Sequence, residues 1–258
     1  MEKAFIFTMD DNIRFLQELI ASNAQSIFDH PYTRTLKELH EKYGVKIQLN
    51  LFYKTPSFTL SQMTENYKKE WQDNASWLKL SFHSLEESPR PYLDAGYDEV
   101  YNDCQKVHNE ILRFAGEESL AKTTTLHFTR ATNDGLRALK ECGVQGLLGL
   151  YGTDENPRSS YQTSKADDVI LRHGGIAVQD GIAYAGIDII LDRFTIPEIL
   201  TQLKSLSSRK IVKILIHEQY FYKDYARYQP EFRDKLETAF TFLTKHGYVP
   251  KFLEDVIL

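Results

Sequence analysis

The stretch AFIFTMDDN, Ala4–Asn12, joins a short apolar run to two adjacent carboxylates, Asp10 and Asp11. The run has the length and composition of a buried strand. Two like charges at the end of a strand raise the pKa of one of them unless a cation compensates. By itself, the pair is consistent with a solvated turn in which one carboxylate caps the next helix, or with a metal site.

Strand-like and helical segments alternate from this stretch to the end of the chain, which predicts an α/β fold with parallel strands joined by helical crossovers. The helices are predicted over Asn12–Asn23, Pro31–Tyr43, Leu60–Trp71, Tyr97–Phe114, Asp134–Cys142, Ile196–Leu206 and Glu231–His246. The strands are predicted over Ala4–Met9, Val45–Tyr53, Trp77–His83, Thr123–Thr129, Gly146–Tyr151 and from Ile211, with further short strands over Val169–Asp192. We expect a single domain over residues 1–258, with a loop or small insertion at 152–192.

The composition is that of an ordinary globular protein. The 258 residues are 42% hydrophobic and 26% charged, with a net charge of −5, so no basic surface indicates a nucleic-acid partner. No stretch approaches the roughly 18 apolar residues of a membrane span. The two cysteines form no CxxC pair, and the N-terminus has no apolar leader pattern. We therefore expect a cytoplasmic protein with free thiols; the composition does not indicate an oligomeric state.

Polar groups stand at the carboxyl ends of four of the predicted strands. They are Asp10 with Asp11, His83, His127 with Arg130, and His217 with Glu218. Each histidine has an ordinary explanation by itself, as a cap, a surface residue or a buried side chain with a partner. However, the carboxyl ends of parallel strands meet at one edge, where α/β folds place their chemistry. Together these groups predict a single site at that edge.

A divalent ion explains why two carboxylates stand together. An ion with nitrogen and oxygen ligands needs about three protein ligands and an open position. Asp11, His83 and a third group supply such a set, which leaves Asp10 free to act as a general base on water. A histidine on the opposite side is placed to act as the general acid.

This pattern resembles that of the metal-dependent polysaccharide deacetylases, the NodB-homology family. Their TFDDG-type motif has its counterpart in FTMDDN, residues 7–12, and their His-[Ser/Thr]-x-x-His motif in HSLEE, residues 83–87. Their final strand of the ILLHD type has its counterpart in ILIHE, residues 214–218. The resemblance spans residues 4 to about 221. It implies a distorted (β/α) barrel of about seven parallel strands.

The resemblance also implies a role for each matched residue. Asp10 corresponds to the catalytic base and His217 to the catalytic acid, whereas Asp11 and His83 correspond to ligands of a divalent metal ion, usually zinc. The chain departs from the family at Asn12, where a glycine is usual, and it lacks the family's Arg-x-Pro-x-Gly motif.

A further departure concerns the third metal ligand, because Glu87 stands where the family has its second histidine. The candidates for the third ligand are therefore Glu87 and His127. We prefer His127, since it lies at the end of a predicted strand, whereas Glu87 lies in a proline-flanked loop. Arg130, Glu218 and Tyr220 are predicted to bind substrate; a solvent-exposed helix-start arginine and a tyrosine-rich surface loop are the ordinary alternatives for Arg130 and Tyr220.

Two functions fit this sequence. The first is a metal-dependent hydrolase that cleaves an N-acetyl group or another C–N amide bond on a sugar or small molecule. The second is a non-catalytic carbohydrate-binding or regulatory relative, in which the aromatic segment Glu218–Tyr222 provides a stacking surface. The paired acids and histidines favour the first function. The lost family motifs favour the second.

Overall fold

The fold is built on a parallel sheet with β1 at its centre. The computed structural model describes residues 2–87 and 92–257. The strands are β1 (Ala4–Asn12), β2 (Ile47–Phe52), β3 (Lys54–Thr55), β4 (Phe58–Thr59), β5 (Leu78–Ser84), β6 (Thr123–Thr124), β7 (Gly146–Gly149), β8 (Ile176–Gln179), β9 (Ile182–Gly186), β10 (Ile189–Ile190), β11 (Ile211–His217) and β12 (Val249–Lys251). The α-helices are α1 (Arg14–Ser22), α2 (Pro31–Tyr43), α3 (Lys68–Asn74), α4 (Tyr97–Phe114), α5 (Asn133–Glu141), α6 (Lys165–Arg172), α7 (Ile196–Ser205), α8 (Phe232–Lys245) and α9 (Glu254–Ile257).

The strands form two larger sheets and one small hairpin. The main sheet has the order β10-β11-β1-β2-β5, with β12 also paired to β1, and all of its pairs are parallel. The second sheet has the order β6-β7-β9-β8, in which only the β8–β9 pair is antiparallel. The predicted α/β class with a mostly parallel sheet is confirmed.

The two faces of β1 are both buried, which explains why its apolar run is continuous rather than alternating. On one face, the Phe5 and Phe7 rings lie 5.9 and 5.0 Å from the Phe240 ring of α8. On the other face, Ile6 packs with Leu148 and Ala185 of the second sheet. Strand β1 is therefore held between helix and second sheet, and its carboxyl end is fixed with it.

Most predicted elements are found, and two helices have the predicted bounds. Pro31–Tyr43 begins with proline in its first turn and ends at Gly44, whose left-handed backbone (φ 66°) closes it. Tyr97–Phe114 buries the predicted apolar face. Within the described residues, no helix combines the length and apolar character needed to cross a membrane.

Three predicted elements differ from the structure. The helix predicted over Leu60–Trp71 is two short 3-10 turns followed by α3, because the backbone is extended at Met63 and Thr64. The strand predicted over Thr123–Thr129 is reduced to two residues. The strands predicted from residue 169 begin only at residue 176, because helix α6, which Ser164 caps, occupies the chain as far as Arg172.

Candidate metal centre and active site

A bulge in β1 brings two consecutive carboxylates into one cleft. Neighbouring residues of a regular strand point to opposite faces, so Asp10 and Asp11 would normally diverge. Here the pairing of β1 with β2 shifts register between Met9 and Asn12, and Asp11 has a left-handed backbone with φ 62°. The bulge re-aims the Asp11 side chain, and both carboxylates line the same cavity of about 910 Å³.

The side chain of Asn12 stabilises this bulge through hydrogen bonds. Its amide nitrogen donates to the carbonyl oxygen of Met9 at 2.6 Å and to that of Asn50 at 3.3 Å, and its amide oxygen accepts from the Tyr32 hydroxyl at 2.6 Å. The side chain is fully buried. Asn12, at the position where the resembling family usually has glycine, therefore supplies hydrogen bonds to backbone carbonyl groups at the bulge.

Asp11, His83 and His127 form a triangle of ligand atoms. Asp11 Oδ1 lies 3.0 Å from His83 Nε2 and 3.3 Å from His127 Nδ1, and the two nitrogens are 3.2 Å apart. A four-coordinate ion with bonds of about 2.0–2.1 Å separates its ligand atoms by about 3.4 Å. The triangle therefore has nearly the dimensions that three ligands of a tetrahedral metal site require, and its three residues line the cleft.

The hydrogen bonds on the far side of each ring fix which nitrogen faces the triangle. His83 Nδ1 bonds to the carbonyl oxygen of Thr125, and His127 Nε2 bonds to that of Glu87 at 2.8 Å. A carbonyl oxygen only accepts, so each outward nitrogen carries the hydrogen. The inward nitrogens face each other and Asp11, so a positive charge is needed between them, either a proton on one ring or a bound metal ion.

Aromatic side chains enclose the two histidines. The Phe52 ring lies 5.2 Å from the His83 ring and 5.0 Å from the His127 ring, and Phe128 covers His127 at 4.1 Å. Phe128 and Thr129 both have left-handed backbone, with φ 59° and 54°. This irregular turn, rather than the continued strand that the sequence predicted, places His127 over the site.

Gln219 orients Asp11 within the triangle. Its amide nitrogen donates to Asp11 Oδ2 at 2.7 Å, which leaves Oδ1 facing the histidines. Burial would raise the pKa of Asp11, but hydrogen bonds from His127 and His83 hold it well below its ordinary value. For His83, burial opposes protonation, and the charge of Asp10 with the bond to Asp11 raises the pKa above its usual range.

Asp10 lies beside the triangle but outside it. The carboxylate is buried, and its Oδ1 accepts a hydrogen bond of 2.6 Å from Asn50 Nδ2. Burial raises the pKa of Asp10, although the neighbouring His83 and His217 oppose that shift. A carboxylate with raised proton affinity next to a metal site has the properties of a general base.

His217 faces Asp10 from the end of β11, its partner strand. The Cα atoms of the two residues are paired in the β1–β11 register. Asp192 accepts from His217 Nδ1 at 2.8 Å and from its backbone N–H at 3.2 Å, so Nε2 is directed away from Asp192. Burial would lower the pKa of His217, but the bond and charge of Asp192 raise it to about 9. This shift favours the protonated imidazole, which is the form that a general acid needs.

The three residues predicted to bind substrate lie in three different environments. Tyr220 lines the cleft, with its ring 6.1 Å from His217 and 5.4 Å from Tyr225. Arg130 is exposed outside the cleft and donates to the carbonyl oxygen of Ser159 at 3.2 Å. Its predicted contact with substrate stays a prediction.

Glu218 caps a helix and also lines a smaller cavity that adjoins the cleft, so its predicted contact with substrate stays a prediction. Its oxygens accept from the backbone N–H groups of Ile13 (2.7 Å), Arg14 (3.1 Å) and Phe15 (2.8 Å), and from the Tyr222 hydroxyl at 2.5 Å. Helix α1 has no capping side chain of its own, so Glu218 satisfies its unpaired N–H groups from a distant part of the chain. Burial raises the pKa of Glu218 to about 7.

We expect Glu218→Gln to destabilise the fold by about 1–3 kcal/mol, because an amide group would be set against buried N–H donors. Chemical denaturation monitored by circular dichroism measures this. The exposed Glu155→Gln is the matched control, with an expected change within about 0.5 kcal/mol. Equal stability of the two variants would contradict the capping role.

Three residues of the site carried no sequence prediction. Asn50 and Asp192 hold Asp10 and His217, and Gln219 holds Asp11. Asp192 follows the short apolar run Ile189–Leu191, so the signal that found the other strand-end groups also marks it. The other two stand in or beside sequences that predict only a strand or a loop.

Comparisons with known proteins identify the fold. No family model matches the chain, and no curated protein matches it either. Among solved structures, a 4-alpha-glucanotransferase from Thermococcus litoralis aligns over 99% of this chain with a TM-score of 0.63 and 14% identity. This chain spans 40% of that enzyme's length.

Two further structures belong to deacetylases or their relatives. A peptidoglycan N-acetylglucosamine deacetylase aligns over 98% of this chain and 86% of its own, with a TM-score of 0.58 and 12% identity. A CE4 family pseudoenzyme from Bacillus anthracis aligns over 100% of this chain and 66% of its own, with a TM-score of 0.56 and 11% identity. The chain therefore shares its fold with these deacetylase relatives and with the glucanotransferase, which confirms the expected resemblance at the level of fold.

Proposed function

We propose that this protein is a metal-dependent hydrolase that removes an N-acetyl or related acyl group from a sugar or small molecule. The observation that carries the proposal is the triangle of Asp11, His83 and His127 with Asp10 and His217 beside it in one cleft. The likeness to a peptidoglycan deacetylase supports this reaction class. Zinc is the proposed ion, since two imidazoles and one carboxylate suit it.

The chain's own residues divide the reaction between them. A bound divalent ion supplies Lewis acidity, which polarises the acyl carbonyl group and favours ionisation of water. Asp10 accepts the proton of the water whose oxygen bonds to the acyl carbon. His217 donates its Nε2 proton to the nitrogen as the C–N bond breaks. The products are a carboxylate and an amine, and Gln219, Asn50 and Asp192 keep the reacting side chains in place.

An acetate-release assay tests this function directly. Chelator-treated protein is reloaded with zinc, cobalt or no metal and incubated with N-acetylated monosaccharides, chitooligosaccharides and N-acetyl amino acids. We expect acetate release from at least one substrate only in the metal-loaded samples. If the loaded protein binds saccharides but releases no acetate from any of them, the non-catalytic alternative replaces the proposal.

Asp192→Asn should move the alkaline limb of the pH–rate profile. The acid form of His217 is lost as pH rises through its pKa of about 9, and removal of the Asp192 charge lowers that pKa. The limb should therefore shift toward lower pH, with kcat at neutral pH reduced about 10- to 100-fold. A variant with an unchanged limb would exclude His217 as the acid. Asp134→Asn, on the exposed side of α5, is the control.

A further inference from the structure

Two arginines line the cleft on the side of His217. Arg193 ends the short turn after β10, and Arg227 lies in the loop after β11, beside Tyr220. Both side chains are exposed and border the 910 Å³ cavity that contains Asp10 and His217. Neither guanidinium lies within ion-pair distance of a carboxylate among residues 2–87 and 92–257.

The basic side chains that line the neighbouring cavity, of about 430 Å³, differ from Arg193 and Arg227 because they have carboxylate partners. Asp11, Glu87, Gln219 and Tyr225 line both cavities, so the two are arms of one cleft. The basic groups of the second arm are already neutralised: Arg14 pairs with Glu18 at 2.6 Å and with Asp224 at 2.8 Å, and Lys54 pairs with Glu86 at 3.3 Å.

The acids of the main arm are also committed elsewhere. Asp11 belongs to the ligand triangle, Asp192 holds His217, and Asp10 is buried against Asn50. Glu87 is the exception: its side chain is exposed, and only its backbone oxygen has a bond in this arm, to His127. Both arginines line this arm without a carboxylate partner among the described residues, although Arg227 bonds to Tyr220 and Arg193 also borders a second cavity, so their charge is left for a ligand to neutralise.

We propose that Arg193 and Arg227 bind an anionic group, a carboxylate or a phosphate, carried by the same substrate whose acyl group lies at Asp10 and His217. This rests on the proposed function and narrows its substrate to N-acylated sugars or small molecules with an acidic substituent. Guanidinium groups match both anions with paired N–H donors, and they stay charged at any working pH.

Calorimetric titration of the zinc-loaded Asp10→Asn protein tests the anion site without turnover. The probes are N-acetylglucosamine, its 6-phosphate and N-acetylglucosaminuronic acid. We expect at least one anionic probe to bind about tenfold or more tightly than the neutral sugar. That preference should weaken as sodium chloride is raised. In the same background, Arg193→Ala with Arg227→Ala should remove it, whereas Arg137→Ala, on exposed α5, should keep it.

Preference for either anionic probe supports the site and identifies the acidic group. Equal affinity for all three probes, no binding of either anionic probe, or a preference that survives the double substitution overturns it. The result is separable from the proposed function: an anion preference without acetate release in wild-type protein leaves the anion site standing and removes the hydrolase. Acetate release without a preference for anionic probes leaves the hydrolase standing and removes the anion site.

Discussion

Asp10→Asn should reduce acetate release by about 10²–10⁴-fold while the protein keeps its metal. The substitution removes the buried carboxylate that accepts the proton of water, and general-base catalysis contributes a factor of that order. The amide is nearly the same size, and its oxygen still accepts from Asn50. Because Asp10 lies outside the ligand triangle, zinc content should remain at one equivalent per chain.

Steady-state kinetics on the substrate found by the acetate assay, with elemental analysis of the same preparation, measure both quantities. Asp73→Asn, on the exposed side of α3, is the control and should match wild-type protein in rate and metal content. Undiminished activity of Asp10→Asn would remove Asp10 from the mechanism. Loss of zinc together with activity would place Asp10 among the ligands instead.

His127→Ala should weaken zinc binding by more than about 100-fold, whereas Glu87→Ala should leave it nearly unchanged. Loss of even an outer-shell partner of a metal ligand costs about 10- to 100-fold in affinity, so the loss of one of three ligands costs more. The Glu87 side chain takes no part in the triangle; its contribution is a backbone oxygen that the alanine variant keeps.

Competition with a chromogenic chelator gives the two zinc affinities. His83→Ala provides a reference for the loss of a ligand. If Glu87→Ala loses zinc and His127→Ala retains it, the third ligand is the carboxylate that stands at the family's histidine position. Circular dichroism of the metal-free variants separates a lost ligand from a lost fold.

The groups at the strand ends were predictable because they depend on local pattern and one geometric rule. A strand is visible in its apolar run, and parallel strands bring their carboxyl ends to a common edge. His83, His127 and His217 could therefore be assigned to one place from the sequence. The choice of His127 over Glu87 as third ligand remains a prediction, which the triangle of ligand atoms supports.

The features that were not predictable depend on contacts between distant residues or on irregular backbone. Glu218 caps a helix that begins 204 residues earlier in the chain, and no periodicity signals such a bond. The bulge at Asp11 and the left-handed turn at Phe128 are irregular backbone. Each breaks the regular strand pattern from which the positions of Asp11 and His127 were predicted. The alternation of a regular strand would have kept Asp10 and Asp11 apart.

Three consecutive residues, the last of β11 and the first two of the turn that follows it, hold three separate parts of the molecule: His217 holds Asp192, Glu218 holds the start of α1, and Gln219 holds Asp11. The residues are adjacent in the chain, so a local opening of the end of β11 and the turn after it breaks all of these bonds together. In amide hydrogen exchange, the N–H groups of Ile13 and Phe15 would then share one opening free energy with the turn. A bound ion would slow that exchange, which couples the protection of α1 to occupancy of the metal centre.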